Sequence, residues 1–247
     1  MMAASSDIPG ALLEALRGAR HVCVLTGAGV SAESGVPTFR DAQEGLWARY
    51  RPEDLATPEA FVDDPALVWR WYRWRRDIVA NVEPNPGHTA LALLAQRVPH
   101  LTLVTQNVDN LHQRAGSADV IEFHGNLFED RCFADGTLHT ADDTQEIPLC
   151  PECGSNLRPG VVWFGEAIPE EALARSCAAA ADSDVFLSAG TSSLVYPAAG
   201  LPDIARRNGA VLVEVNPNPT MQASNFDFAL AGKSGEILPE LLELLAL

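Results

Sequence analysis

The run HVCVLTGAGVSA, residues 21–32, decides the fold. A short stretch rich in Val and Leu is followed by Gly27-Ala28-Gly29-Val30-Ser31-Ala32, which reads as a buried strand feeding a tight glycine turn. The turn has the form G-x-G-x-x-A, in which backbone N–H groups can approach a pyrophosphate at a helix N-terminus. Many strand-to-helix turns need glycine only for positive φ, so the motif alone says little. Its place at the end of a strand favours a nucleotide.

Similar runs recur at LTLVTQN (101–107), DVIEFHG (119–125), DVFLSAGTS (184–192) and AVLVEVNPN (210–218). Helical spacing fills 8–19, 88–98 and 168–181. Strands alternating with helices predict an α/β fold: a Rossmann-like parallel sheet covered on both faces. Two stretches break the alternation. Residues 40–84 carry aromatics, arginines and prolines and read as loop followed by helix, while 126–165 carry the clustered cysteines. The expectation is one domain over 1–247. Its large part spans about 1–39, 85–125 and 166–247, and a small subdomain is formed by the insertions 40–84 and 126–165.

Ligands of such folds bind at the carboxyl edge of the sheet. There the strands end in Gln106-Asn107-Val108-Asp109, His124-Gly125 and Gly190-Thr191-Ser192, with Glu214 and Asn216 closing a later strand as candidate ribose contacts. A lone His is more often structural than a base, and Asn or Asp after a strand often caps a helix. Several such groups beside a glycine turn point to a site.

With 33 acidic and 17 basic residues, the chain has a formal charge of -16. That opposes binding to nucleic acid or anionic membrane and favours basic protein segments. No apolar run approaches the ~20 residues of a membrane span. The N-terminus has no apolar signal core and contains Asp7 and Glu14, so a cytoplasmic protein is the plain reading. Nothing in the sequence demands a second subunit, and a monomer is expected.

The stretches GAGVSAESGVPTFRD (27–41), TQNVDNLH (105–112), EFHGN (122–126), VVWFGE (161–166), GTSS (190–193) and VNPN (215–218) stand in the order found in sirtuins. The chain resembles that family from about residue 20 to the end. The resemblance implies an NAD-consuming deacylase acting on acylated lysine side chains of proteins. Gly27 to Trp47 would be the cofactor loop, with Gly27, Ala28, Gly29, Ser31, Phe39, Arg40 and Trp47 near NAD. Gln106, Asn107 and Asp109 would hold the nicotinamide and its ribose, Asn107 and Asp109 as catalytic groups. Gly190, Thr191, Ser192, Asn216, Asn218 and Ser234 would line the adenosine side. Val162, Trp163 and Phe164 resemble the strand along which the substrate backbone lies. His124 resembles the general base, which activates a ribose hydroxyl so that lysine, nicotinamide and 2′-O-acyl-ADP-ribose are released.

Read as a helix, residues 67–79 carry Leu67, Trp71, Trp74 and Ile78 on one stripe, with Val68, Tyr72, Arg75 and Val79 beside it. A phenol and a guanidinium at i, i+3 among valines suggest an anion site, since Arg grips a carboxylate with two parallel hydrogen bonds. An arginine reaching water, or pairing with one of the chain's own carboxylates, is the competing reading. The Tyr-x-x-Arg pair is similar to that of the sirtuin branch that removes succinyl, malonyl and glutaryl groups. Ala56 falls where that branch has a small residue. Acidic acyl groups are therefore expected, with acetyl accepted less well.

Of five cysteines, Cys23 and Cys177 read as small core residues. Cys150-Pro-Glu-Cys153 is one complete zinc pair, whereas Cys132-Phe-Ala-Asp135 has Asp where the family commonly has Cys. Structural Zn2+ is expected on Cys132, Cys150 and Cys153, with Asp135 or His139 as the fourth ligand. The rival functions are a predominantly acetyl-lysine deacetylase, a mono-ADP-ribosyltransferase and a non-catalytic NAD-binding module.

Overall fold

The computed structural model describes residues 8–38, 50–142, 144–218, 220 and 222–246. The first half runs α1 (Gly10–Gly18), β1 (His21–Thr26), α2 (Ala28–Ala32), α3 (Pro52–Leu55), α4 (Pro58–Asp63), α5 (Pro65–Ala80), α6 (Pro86–Leu94), β2 (His100–Thr105) and α7 (Leu111–Arg114). The second runs β3 (Val120–Glu122), β4 (Gly125–Cys132), β5 (Leu138–His139), β6 (Leu157–Val161), α8 (Glu170–Asp182), β7 (Val185–Ala189), α9 (Leu201–Arg207), β8 (Val211–Asn216), β9 (Phe228–Ala231) and α10 (Ser234–Leu245).

Six strands form one parallel sheet in the order β3-β2-β1-β7-β8-β9. Side chains alternate across a strand, and β1 shows the consequence. Val22 and Val24 enter one core with Leu12, Leu91 and Leu241, while Cys23 and Leu25 enter a second with Ala180, Phe186 and Ala205. Both faces are thus covered by helices, as the near-continuous apolar runs predict. The order reverses at β1, which has β2 on one side and β7 on the other. The crevice of an open α/β sheet lies at such a point.

A third core draws on both insertions, with Phe61, Trp69, Trp71 and Trp163 fully buried. Asp64 caps α5 by accepting the Leu67 N–H at 2.9 Å, and Pro65 follows in the first turn. The buried face of α5 is Val68, Trp69, Trp71, Tyr72 and Val79, whereas Leu67, Trp74 and Ile78 are only half-buried. The stripe expected from spacing is therefore rotated. Trp69 rotates it by donating its indole N–H to the Leu157 carbonyl of β6, 2.9 Å away.

Three features escaped the periodic reading. An antiparallel sheet β5-β4-β6 occupies the cysteine insertion, and its pairing shifts register between Gly125 and Asp130, which blurs the alternation. β9 is a four-residue edge strand. α10 buries Ile237, Leu238 and Leu241 despite Pro239 inside it. Among the described residues, no helix is long and apolar enough to cross a membrane.

Candidate active site

The loops after β1 and β7 meet over the switch point. The Gly29 N–H donates to the Gly190 carbonyl at 2.8 Å, and the Gly27 N–H to the Ala189 carbonyl at 3.1 Å. A Cβ on Gly27 would lie 2.8 Å from the Thr191 Cβ, and one on Gly29 would lie 2.7 Å from the Gly190 oxygen. Gly27 has φ -132°, so it is needed for close approach of two backbones and not for a left-handed turn. Gly190, at φ 59°, needs glycine for both reasons. The crossing opens onto a cleft of about 710 Å³, within the range of a cofactor site.

Burial holds His88 neutral, its pKa pushed down to about 4. Its Nδ1 accepts the Asn85 N–H at 3.3 Å, so Nε2 carries the proton and donates to Ser31 Oγ at 3.3 Å. Asn107 uses both amide hydrogens, one to the Gly27 carbonyl (3.1 Å) and one to Ser31 Oγ (3.0 Å). Ser31 thus accepts twice, and its own hydroxyl donates to Asp109. Burial pushes the Asp109 carboxyl up, with the Ser31 hydroxyl and the Leu111 N–H opposing. Gln106 Nε2 donates to Thr191 Oγ1 at 2.9 Å, and Asn216 Nδ2 to the Thr191 carbonyl at 2.9 Å. These bonds tie the β1, β2, β7 and β8 loops into one wall.

His124 sits beyond β3 with Nδ1 3.1 Å from the Gln106 carbonyl. A carbonyl only accepts, so Nδ1 carries the hydrogen and Nε2 keeps a lone pair. Burial lowers the His124 pKa from 6.5, opposed by that same bond. The ring is thus neutral and oriented, with Nε2 able to accept a proton.

At the far end, α5 brings Tyr72 and Arg75 to the cleft with Ala56, Val162, Trp163 and Phe164. Burial raises the Tyr72 pKa to about 12 and pushes the Arg75 guanidinium down, so the phenol keeps its proton while the guanidinium stays charged. Tyr72 accepts the Trp163 indole N–H at 2.9 Å. Arg75 lies with Cζ 5.0 Å from the Trp71 ring centroid. Val162 to Phe164 lie past the end of β6, not within a strand. Val162 N–H donates to the His124 carbonyl (2.8 Å) and Phe164 N–H to the Ala56 carbonyl (2.9 Å), joining both insertions to the base.

The Cys132, Cys150 and Cys153 sulfurs lie within 4.8 Å of one another, a donor set that fits structural zinc. Two turns of one form present them: Gly136 N–H bonds the Cys132 carbonyl and Gly154 N–H the Cys150 carbonyl, each at 2.9 Å, with φ 77° and 73°. His139 Nε2 is 3.4 Å from Cys150 Sγ. Asp135 is exposed and uses Oδ1 to accept the Thr137 N–H at 2.9 Å.

Gly27, Ala28, Gly29, Ser31, Gln106, Asn107, Asp109, His124, Gly190, Thr191, Ser192, Asn216 and Asn218 all line the cleft. Phe39, Arg40 and Trp47 fall outside the described residues. Ser234 does not line it; it is buried at the head of α10, where Gly87 of α6 packs against its backbone. Glu214 does not line it either; its carboxylate takes the hydroxyl of Thr220, which does, at 2.5 Å. The rim residues Leu194, Val195 and Tyr196, exposed at the cleft, went unread because their local sequence carries no periodic signal. So did Arg158 and Glu166.

Fold and cleft together define a Rossmann-type α/β protein with a nucleotide-sized site at its switch point. Residues 27–197 match the model of the Sir2 family. NAD-dependent protein deacylase 1 of Pseudomonas aeruginosa is 53% identical over 242 residues, covering 94% of this chain and 97% of that one. NAD-dependent protein deacylase 2 of Pyrobaculum aerophilum is 52% identical, covering 92% of each. The solved structure of a Sir2 homologue–NAD complex superposes with TM-score 0.91 at 44% identity, covering 99% of this chain and 96% of that one. The chain belongs to the Sir2 family of enzymes, and the sirtuin resemblance of its motifs is borne out.

Proposed function

We propose that the chain is an NAD-dependent protein-lysine deacylase that prefers succinyl and malonyl groups and takes acetyl less well. The carrying observation is that one cleft holds both a correctly tautomerised base, His124, and the buried Tyr72 beside a half-buried Arg75. Bound NAD supplies an electrophilic ribose carbon and nicotinamide as leaving group. The crossing of Gly27 to Gly29 with Gly190 and Thr191 leaves backbone room for a diphosphate, while Ser192, Asn216 and Asn218 face the adenosine end. Asn107 and Asp109, held by Ser31, orient the nicotinamide ribose. His124 Nε2 then takes the proton of a ribose hydroxyl, a role typically worth ~10²–10⁴-fold. The substrate backbone adds along Val162 to Phe164, which gives affinity with loose sequence preference. Arg75 and Tyr72 grip the acyl carboxylate past Ala56. A chain with charge -16 suits lysine-rich partners over nucleic acid or anionic lipid, and a cytoplasmic monomer is the proposed setting.

The support from relatives is coarser, since their names specify deacylase without the acyl group. A further solved neighbour, 32% identical with TM-score 0.84, is a Sir2 protein with a deacetylated p53 peptide and 3′-O-acetyl-ADP-ribose. The direct test incubates a succinyl-lysine peptide with enzyme, with and without NAD, and identifies products by mass. The reading requires NAD-dependent free lysine, nicotinamide and succinyl-ADP-ribose. ADP-ribosylated protein, or binding without turnover, would sink it.

His124 also fixes the pH response. Its pKa is lowered from 6.5, so the base stays deprotonated through neutrality and protonates only below that value. The acid limb of kcat/KM is expected to fall below pH 6.5 in a pH–rate profile. An inflection above it contradicts the assignment.

For zinc, we propose His139 as the fourth ligand, since its Nε2 lies 3.4 Å from Cys150 Sγ; the rival is Asp135, whose carboxylate bonds both its own turn and the Cys132 side chain. Elemental analysis is expected to find one zinc per chain, much less in His139→Ala, and no loss in Asp135→Ala. The reverse pattern gives the position to Asp135. Chelation is expected to lower the melting temperature, because a structural ion contributes directly to folding.

A further inference from the structure

At the cleft wall, Arg158 and Glu166 join Trp163 and Tyr72 in a relay of side-chain bonds that the motifs did not reveal. Arg158, 5% exposed, grips Glu166 with two nitrogens: Nη1 donates to Oε1 at 2.5 Å and Nη2 to Oε2 at 3.0 Å. Nη2 also donates to the Val161 carbonyl at 2.7 Å. The same guanidinium lies over the Trp163 indole, with Cζ 3.3 Å from the ring centroid. Glu166 Oε2 in turn accepts the Trp163 backbone N–H at 2.7 Å. Trp163 is therefore held at both backbone and ring. Its indole N–H points at the Tyr72 oxygen, 2.9 Å away, with both residues 2% exposed.

An indole N–H only donates, so the Tyr72 oxygen must accept from it. The phenolic hydrogen is then excluded from that direction. It lies in the ring plane and has two low-energy orientations; occupation of one side leaves the other, which is free to donate elsewhere. We propose that Trp163 is a positioning residue for acyl selectivity: its indole N–H directs the Tyr72 hydroxyl toward the substrate carboxylate, and Arg158 with Glu166 fixes the indole. This inference rests on the acidic-acyl reading above. Its physical logic is preorganisation. A donor already aimed at the anion need not be turned when substrate binds, and a neutral acetyl group gains nothing from the arrangement.

Trp163→Phe removes the donor and also shrinks a buried ring, a packing cost common to both substrates that their ratio cancels. KM for a succinyl-lysine peptide is expected to rise about tenfold, because the phenol is no longer aimed and forfeits part of its hydrogen bond to the charged carboxylate. KM for the matched acetyl peptide is expected to rise by clearly less than that for succinyl, so the ratio of the two carries the reading, and kcat should change equally for both. Tyr72→Phe, which keeps the indole, should give a succinyl-selective loss at least as large. Adding Trp163→Phe to Tyr72→Phe should cost the succinyl substrate little more, because the indole acts through the phenol. Equal losses for acetyl and succinyl, or fully additive losses in the double variant, overturn the relay. If Trp163→Phe does not fold, an unchanged succinyl KM in Tyr72→Phe overturns it alone. Failure of the parent reading looks different: the unsubstituted enzyme would then show no succinyl preference, and Arg75→Met would leave the two substrates unchanged relative to each other.

Discussion

Replacing His124 by alanine is expected to lower kcat/KM for NAD-dependent deacylation by about 10²–10⁴-fold while NAD affinity changes little. The ring is placed by one bond to the Gln106 carbonyl and by the Val162 N–H on its own carbonyl, and neither bond builds the dinucleotide wall. That wall is instead closed by Gln106 on Thr191, Asn216 on Thr191 and Asn107 on Gly27, all of which survive the substitution. Steady-state rates and calorimetric NAD binding separate the two effects. A rate within about tenfold of the parent, or a collapse of NAD binding with the rate, would remove His124 from the role of base.

Arg75→Met is expected to cost the succinyl substrate about 10- to 100-fold in kcat/KM, from the ~1.5–3 kcal/mol of hydrogen bonds to a charged group. Methionine retains the aliphatic stem but not the guanidinium that lies over Trp71. A smaller loss common to both substrates is also expected. Arg75 favours the ionised form of buried Asp109, so removing it raises an already raised carboxyl pKa. The succinyl-to-acetyl ratio cancels that common part, and steady-state kinetics on both peptides supplies it. An unchanged ratio contradicts the anion site.

The parallel sheet was legible because its strands are buried on both faces: residues 21–26, 101–105, 185–189 and 211–216 read as apolar-rich runs with polar ends. The edge that carries the candidate site was legible for the same reason, since Gln106, Asn107 and Thr191 stand just beyond those runs and His124 just beyond β3. The β4–β6 sheet was not, because a register shift and knuckle turns replace the period of two. Glu214 looked like a ribose ligand from its strand-end position, but its carboxylate is taken by the Thr220 hydroxyl, a partner six residues on that strand periodicity does not reveal. The glycine turn was read for its ligand, whereas Gly27 and Gly29 are demanded first by Gly190 and Thr191 crossing them. No single-sequence signal links residues 27 and 190. Trp163 looked like substrate backbone, and its side-chain bond to Tyr72 spans 91 residues.

The most direct test of the central claim is a competition. Equimolar acetyl-lysine and succinyl-lysine peptides of one sequence, mixed with enzyme and NAD in one tube, are followed by mass. NAD-dependent loss of succinyl ahead of acetyl, with succinyl-ADP-ribose formed in step and the order reversed by Arg75→Met, is the predicted result. Acetyl consumed first by the unsubstituted enzyme, with an order indifferent to Arg75, would contradict the acidic-acyl assignment.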